Sequence, residues 1–391
     1  MLCGGEDGSD MALFGQAKEP FLRQVLPLEH GIPRHDTFSR VFRLLDPEQF
    51  HACFLVFMRH FAEGWPGVVA LDGKTLRRSF DRAAGASPLP LVSAWATEQR
   101  LVLGQGAVGD KSHAITAVPQ WLKRLSLSGV GVTADAMACQ REIARTITDQ
   151  GGADVLALKG HQGPLLEDVK LVLGAPALAL ATAQTTEGEH GRIEGRRAAL
   201  TREIAFLQES HAWPSLQAVG KITATRETQT GTSQETRYFL LSEAFSPERF
   251  LAIVRAHGGL ENGLHWVWDV TRNVTDAQLI ILSSAAQRQD HGIALPERIK
   301  GQAARNTVEQ LPASALPQSL RGAVSVTAPE DGLRNRKDHG PENLALLRRL
   351  ALNLATLEPS KASVKAKLKR AGWDNAYLVA ILAQAAKSQV R

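Results

Sequence analysis

The chain has 391 residues, a net charge of +5, 44% hydrophobic residues and 22% charged residues. That is ordinary globular composition, with enough length for a large core and for more than one domain. No apolar run approaches the ~18 residues of a membrane span, and the acidic start MLCGGEDGSDMALFG has no apolar signal region, so a cytoplasmic protein without a membrane partner is expected.

Cys3, Cys53 and Cys139 lie far apart and form no CxxC pair, which argues against a disulfide framework and a cysteine zinc site. The charge is unevenly placed. Between 361 and 391, seven basic residues (Lys361, Lys365, Lys367, Lys369, Arg370, Lys387 and Arg391) stand against one acid, Asp374. A basic tail on a near-neutral body fits a nucleic-acid contact or a solvated surface helix.

In chain order, residues 35–64 read as two helices. Asp36 is the expected N-cap of the first, with Phe38, Val41, Phe42 and Leu45 at helical spacing. Asp46-Pro47-Glu48 restarts a second, with Pro at its first position and Phe50, Phe54, Phe57, Met58 and Phe61 as its apolar side. From Gly67 the pattern turns to strands. Residues 68–71 (VVAL) read as a strand buried on both faces, ending at Asp72, with Gly73 as a sharp exit. Residues 90–96 and 101–108 read as a hairpin about Thr97-Glu98-Gln99-Arg100, and 115–127 as a helix. Residues 130–134 form another apolar strand ending in an acid, Asp135. A helix over 139–150 and a strand over 154–158 follow, then Lys159. This order predicts a mixed α/β sheet with helices on its faces.

The 125 residues between Asp135 and Glu261 are too many for one connection. Strands over 221–227 and 236–241, preceded by the charge-dense EGEHGRIEGRR, predict an inserted, mostly β subdomain at about 175–245. Residues 247–271 read as a helix that places Glu261, His265 and Asp269 on one face. Residues 272–328 read as a separate small helical module. Residues 330–354 return to a charged loop and a Leu-rich helix.

Two strand-terminal aspartates and a helical glutamate make a carboxylate set, and hard oxygen donors suit Mg²⁺ or Mn²⁺. Two such ions side by side can activate a nucleophile and steady a leaving oxygen at a phosphodiester. Lys74, Arg77, Arg78, Lys159, Arg192 and Arg196 could hold the phosphates. Each acid also has a plain structural alternative: Asp72 as a turn former, Asp135 as an N-cap and Glu261 as a solvated helix residue. Gly73-Lys74-Thr75 is not the end of a P-loop, because five residues, not four, separate Gly67 from Gly73 and Gly67 precedes the strand.

Taken together, residues 68–78 (VVALDGKTLRR), 91–103 (LVSAWATEQRLVL), 132–140 (VTADAMACQ), 155–162 (VLALKGHQ), 190–196 (HGRIEGR), 260–271 (LENGLHWVWDVT) and 341–354 (PENLALLRRLALNL) resemble a DDE transposase. More narrowly, they resemble the H-repeat-associated type of insertion-sequence transposase. The resemblance implies a ribonuclease H-like mixed sheet flanked by helices, with an N-terminal helical segment and a β-rich insertion before the third acid. It also implies two divalent metal ions (Mg²⁺ or Mn²⁺), cutting and joining at terminal inverted repeats, target DNA as second substrate, and a homodimer. Carried over by residue, the catalytic, metal-binding acids fall on Asp72, Asp135 and Glu261. A DNA-facing set would add His190, Asn262, His265 and Trp266, along with Lys365, Lys367, Lys369 and Arg370 of the basic tail.

The implied organisation is a helical segment over 1–66, a catalytic core over 67–271, a foreign insert over 272–328 and a basic helical segment over 329–391. The chain departs from the family in a short N-terminal region and in Gly258, where an aromatic residue is usual. It also has some 58 residues between Thr271 and Glu330, where the family runs almost directly on.

Overall fold

The computed structural model describes residues 1–59, 67–76, 79, 87–107, 114–189, 192–229, 231–260 and 337–384. The N-terminal helices are α1 (Gly8–Ala17), α2 (Glu19–Leu22), α3 (His35–Leu44) and α4 (Pro47–Arg59). Asp7 caps α1 by accepting from the N–H groups of Ser9 and Asp10. Asp46 does the same for Glu48 and Gln49 at the start of α4. The expected N-cap of α3 moves: Arg34 holds that position without a side-chain bond, and Asp36 sits inside the first turn.

The central elements are β1 (Val68–Leu76), β2 (Leu89–Ala96), β3 (Leu101–Ala107), α5 (Ala114–Leu122), β4 (Gly131–Ala134), α6 (Arg141–Asp149), β5 (Ala153–Leu158) and α7 (Gly163–Gly174). Then come β6 (Ala181–Glu189), β7 (Arg192–Thr201), α8 (Ala205–His211), β8 (Ala218–Thr228), β9 (Gly231–Leu241) and α9 (Pro247–Leu260). The C-terminal helices are α10 (Gly340–Leu357), α11 (Val364–Trp373) and α12 (Asn375–Leu382). The expected helix over 139–150 is a short 3-10 turn, Ala136–Ala138, followed by α6.

Among the described residues, nine strands form one sheet in the order β3-β2-β1-β4-β5-β9-β8-β7-β6. β1, β2 and β3 form an antiparallel meander, while β1, β4 and β5 run parallel. That five-strand order, with helices on both faces, is the ribonuclease H-like arrangement. The β-rich insertion is present but is not a subdomain apart, because β9 pairs antiparallel with β5 from Val155↔Leu241 to Leu158↔Tyr238. The insertion therefore extends the same sheet.

The pleat gives β1 two distinct faces. Val69 and Leu71 point into the main core with Phe54 and Met58 of α4, Leu122 of α5, Ile143 and Ile147 of α6 and Val169 of α7. Val68 points the other way, under Phe250 and Ile253 of α9. Ala70 on that same side packs with Trp95, Val102 and Leu352 of α10, and Leu76 packs with Leu91 and Leu344. We call these the core face and the helix-capped face.

The N- and C-terminal helices form a joint layer. Asn343 Nδ2 donates to the carbonyls of Phe42 and Leu45, Arg348 Nη2 donates to Glu6 O and Lys18 Nζ donates to Asn375 Oδ1. Asn353 donates to Val102 O at 2.7 Å and accepts from Val102 N at 2.9 Å, so its amide closes the outer edge of β3. No described helix is long and apolar enough to cross a membrane. The expected insert over 272–328 lies outside the described residues.

Candidate active site

β1 does not end at Asp72. It continues through Gly73, Lys74 and Thr75 to Leu76, because β2 pairs with it throughout, from Val69↔Ala96 to Leu76↔Leu89. Gly73 is therefore not an exit turn. A Cβ there would lie 2.1 Å from Met137 Cε, the tip of an exposed side chain in the turn that follows β4. What ends at Asp72 is the parallel pairing, whose last pair is Leu71↔Ala134.

That register sets the geometry of the site. The next residues are Asp72 and Asp135, and Asp135 keeps an extended backbone (φ −66°, ψ 164°). The two acids thus leave adjacent parallel strands side by side, at an interstrand spacing of about 4.8 Å. Asp72 shares the helix-capped face with Val68 and Ala70. Asp135 follows Gly131 and Thr133 by alternation, and Gly131 faces Ile253 of α9. Both carboxylates therefore project on the side crossed by α9.

Asp135 also plays its structural alternative. It caps the Ala136–Ala138 turn by accepting from Ala136 N. Lys159, just past β5, lies 3.7 Å from the same Oδ1. The Asp135 side chain is 46% exposed, so this ion pair is weak and easily exchanged. Two adjacent carboxylates repel one another, and a shared divalent cation removes that cost with hard oxygen donors. The residues present fit Mg²⁺ or Mn²⁺. Among the described residues no three His, Cys, Asp or Glu side chains gather closely enough to hold a metal ion. The third expected acid, Glu261, lies one residue beyond the described end of α9.

A polar row that sequence reasoning did not single out runs away from these acids. Asp72 pairs with Ser93 on β2, and Ser93 pairs with Gln105 on β3. Ser93 is 2% exposed and Gln105 3%. Gln105 Nε2 donates to Glu342 O of α10 at 3.0 Å, and Glu342 Oε1 accepts from Ala107 N. Burial raises the Glu342 pKa. The available signal was a serine and a glutamine inside otherwise apolar strands, LVSAWA and LVLGQGA.

The expected DNA-facing residues divide into groups. Lys74 is two residues from Asp72 on the same face, but its Nζ is buried rather than presented at the surface, and Lys159 is beside Asp135. Arg196 is on β7, paired with Glu194 at 2.6 Å and Glu187 at 3.6 Å, and Arg255 of α9 also reaches Glu187. Arg192 begins β7 opposite Glu189. Lys367 is not on a DNA-accessible surface: it is 4% exposed, paired with Glu358 at 3.3 Å, in a network with Tyr377. Arg370 lies over the Tyr377 ring at 4.1 Å and 3.7 Å from Asp374. Lys365 and Lys369 are half-buried on the same helix. Arg77, Arg78, His190, Asn262, His265 and Trp266 lie outside the described residues.

Comparison with known proteins identifies the family. A family model described as the transposase DDE domain matches residues 65–277, and its associated N-terminal model matches residues 1–58. The chain belongs to the DDE transposase family. It is 34% identical to the H repeat-associated protein YhhI of Escherichia coli K12, over 71% of this chain and 76% of that one. It is 33% identical to YbfL of the same organism, with the same coverages. An uncharacterized protein in the dhlA 3′ region of Xanthobacter autotrophicus is 43% identical over 63% of this chain and 85% of its own length. This DDE transposase is therefore of the H-repeat type, and its two family segments coincide with α1–α4 and with the sheet through α9.

Proposed function

We propose that this transposase cuts double-stranded DNA at the terminal inverted repeats of an insertion sequence and joins the freed 3′-hydroxyl to target DNA. Two copies would act together, one at each end. The observation that supports this most is the register that sets Asp72 beside Asp135, each just past the end of the β1–β4 parallel pairing. In this reading Asp72, Asp135 and Glu261 would hold two Mg²⁺ or Mn²⁺ ions, which supply a nucleophile active at neutral pH and charge stabilisation for in-line displacement.

The chain's own residues do the rest. The paired strands hold the two carboxylates at fixed separation. Lys159, released from Asp135 when that acid takes a cation, is then available to a phosphate. Lys74 lines the same face, and Arg77, Arg78 and the β7 arginines Arg192 and Arg196 would extend the phosphate contact.

The test is a supercoiled plasmid carrying terminal repeats, incubated with the full chain and Mg²⁺ or Mn²⁺. Cleavage and strand-transfer products that vanish in Asp72→Ala are expected. DNA binding without cleavage by the unaltered chain would leave a DNA-binding remnant. Cleavage without joined products would leave a plain nuclease.

A further inference from the structure

Asp72 is not held by its own strand alone. It faces Ser93 directly across the β1–β2 ladder, where paired Cβ atoms lie about 5 Å apart. Ser93 faces Gln105 across the next ladder in the same way, and all three share the helix-capped face. A buried hydroxyl and a buried amide in an apolar sheet are costly unless they bond. Gln105 satisfies only part of its amide. Its Nε2 is committed to Glu342 O, which fixes the plane of the group, while its Oε1 is buried without a hydrogen-bond partner among the described residues.

By register Ser93 sits between Asp72 on β1 and Gln105 on β3, a hydroxyl with one proton to give flanked by two residues whose side chains can accept it. A carboxylate accepts more strongly than an amide oxygen.

We propose that Ser93 is a positioning residue for the Asp72 carboxylate, braced by Gln105 and through it by the C-terminal helix α10. The role deepens the metal-site reading above and rests on it. Ser93 aims the carboxylate from behind, as the outer partners of metal ligands do, and loss of such partners typically weakens metal affinity 10–100-fold. Through Gln105 and Glu342, a helix that follows the third acid by some 80 residues is tied to the first.

The experiment is Mn²⁺ titration of the full chain, read by the electron paramagnetic resonance of free Mn²⁺, alongside thermal melting. Ser93→Ala removes the donor with almost no change of volume, and an approximately tenfold or greater rise in the Mn²⁺ dissociation constant is expected at unchanged Tm. Gln105→Leu is expected to move affinity in the same direction by less. If Ser93→Ala lowers Tm, Ser93→Thr, which keeps the hydroxyl, is expected to restore Mn²⁺ affinity; failure to do so overturns the proposal. Asp72→Asn separates the two readings. If it loses Mn²⁺ while Ser93→Ala binds like the unaltered chain, the positioning role is wrong and the metal site stands. If Asp72→Asn binds Mn²⁺ undiminished, the metal-site reading itself is wrong.

Discussion

The two faces of the central sheet put the same residue types to opposite uses, and Asp135 and Asp154 show it best. They belong to neighbouring parallel strands. Asp135 follows β4 on the helix-capped face, 46% exposed, with an exchangeable lysine at 3.7 Å. Asp154 is the second residue of β5 and alternates with Leu156 and Leu158, which fill the core face. It is 1% exposed, and burial pushes its carboxyl up to about 7. The nearby Cys139 thiol is pushed up to about 12, by burial first and by Asp154 second. An acid past the C-terminal end of a parallel strand meets loops and water, whereas one inside the strand meets side chains. An acid past the strand end can bind at little cost to folding, whereas one inside β5 is buried in the packing that holds the fold together.

The comparison breaks most visibly if Asp135 matters for stability or Asp154 for chemistry. Asp135→Ala is expected to reduce cleavage by at least about 10²–10³-fold, the scale of losing one preorganised charged group. The same change removes only a turn cap and an exposed ion pair, so stability should fall by about 1 kcal/mol. Chemical denaturation of the same preparation checks both.

Asp154→Asn is expected to do the reverse, leaving cleavage intact while changing stability with pH. The folded carboxyl titrates near 7 against 3.8 in the unfolded chain. Its contribution is therefore fully present below about 4 and is lost as pH rises through 7. His51 runs the other way. Burial depresses it to about 4, it accepts from Trp121 Nε1 at 3.0 Å, and its contribution is present above 6.5 and lost as pH falls through 4. Between about 4 and 6.5 the two slopes oppose, so the unaltered chain should look flat there. The difference between Asp154→Asn and the unaltered chain cancels His51, and should grow from near zero at pH 4 to up to about 4 kcal/mol above pH 7. A difference in urea midpoint that stays constant across this range would refute the burial argument.

Much of this architecture was legible before the structure. The strands at 68, 90, 101, 130 and 154 announce themselves as apolar runs between turn residues, and the two acids that follow apolar runs stand on neighbouring parallel strands. What was hidden depends on partners distant in sequence. β1 runs on past Asp72 because β2 pairs with it as far as Leu89, although Gly73 and Lys74 locally signal a stop. The insertion joins the sheet because Leu241 finds Val155, a pairing that spacing does not reveal. Lys367 reads as one of a row of surface lysines, yet Glu358 and Tyr377 turn it inward. Asp154 is an acid inside a strand whose burial no local pattern marks.

A smaller effect tests how tightly the core face is packed. Gly104 of β3 points to that face, where an added Cβ would lie 2.6 Å from His51 Nε2 and 3.1 Å from Trp121 Cζ2. Those rings are hydrogen-bonded and stacked at 6.1 Å, so neither can move without breaking the pair. Gly104→Ala is expected to cost about 1–3 kcal/mol, as overpacking of a filled core does. Unchanged cleavage per folded molecule would confirm that the damage stays on its own side of the sheet.

The smallest effect belongs to Lys159. Its pair with Asp135 is exposed at both ends, so Lys159→Ala should change stability by less than about 1 kcal/mol. Its consequence should appear in DNA affinity instead. If the lysine meets a phosphate, removing it releases one fewer counterion on binding, and the slope of log affinity against log salt should become shallower by about 0.9. A salt titration of repeat-DNA binding by fluorescence anisotropy measures that slope. An unaltered slope would make Lys159 a companion of Asp135 alone, and would move the phosphate contact on this face toward Lys74 and the arginines beyond β1.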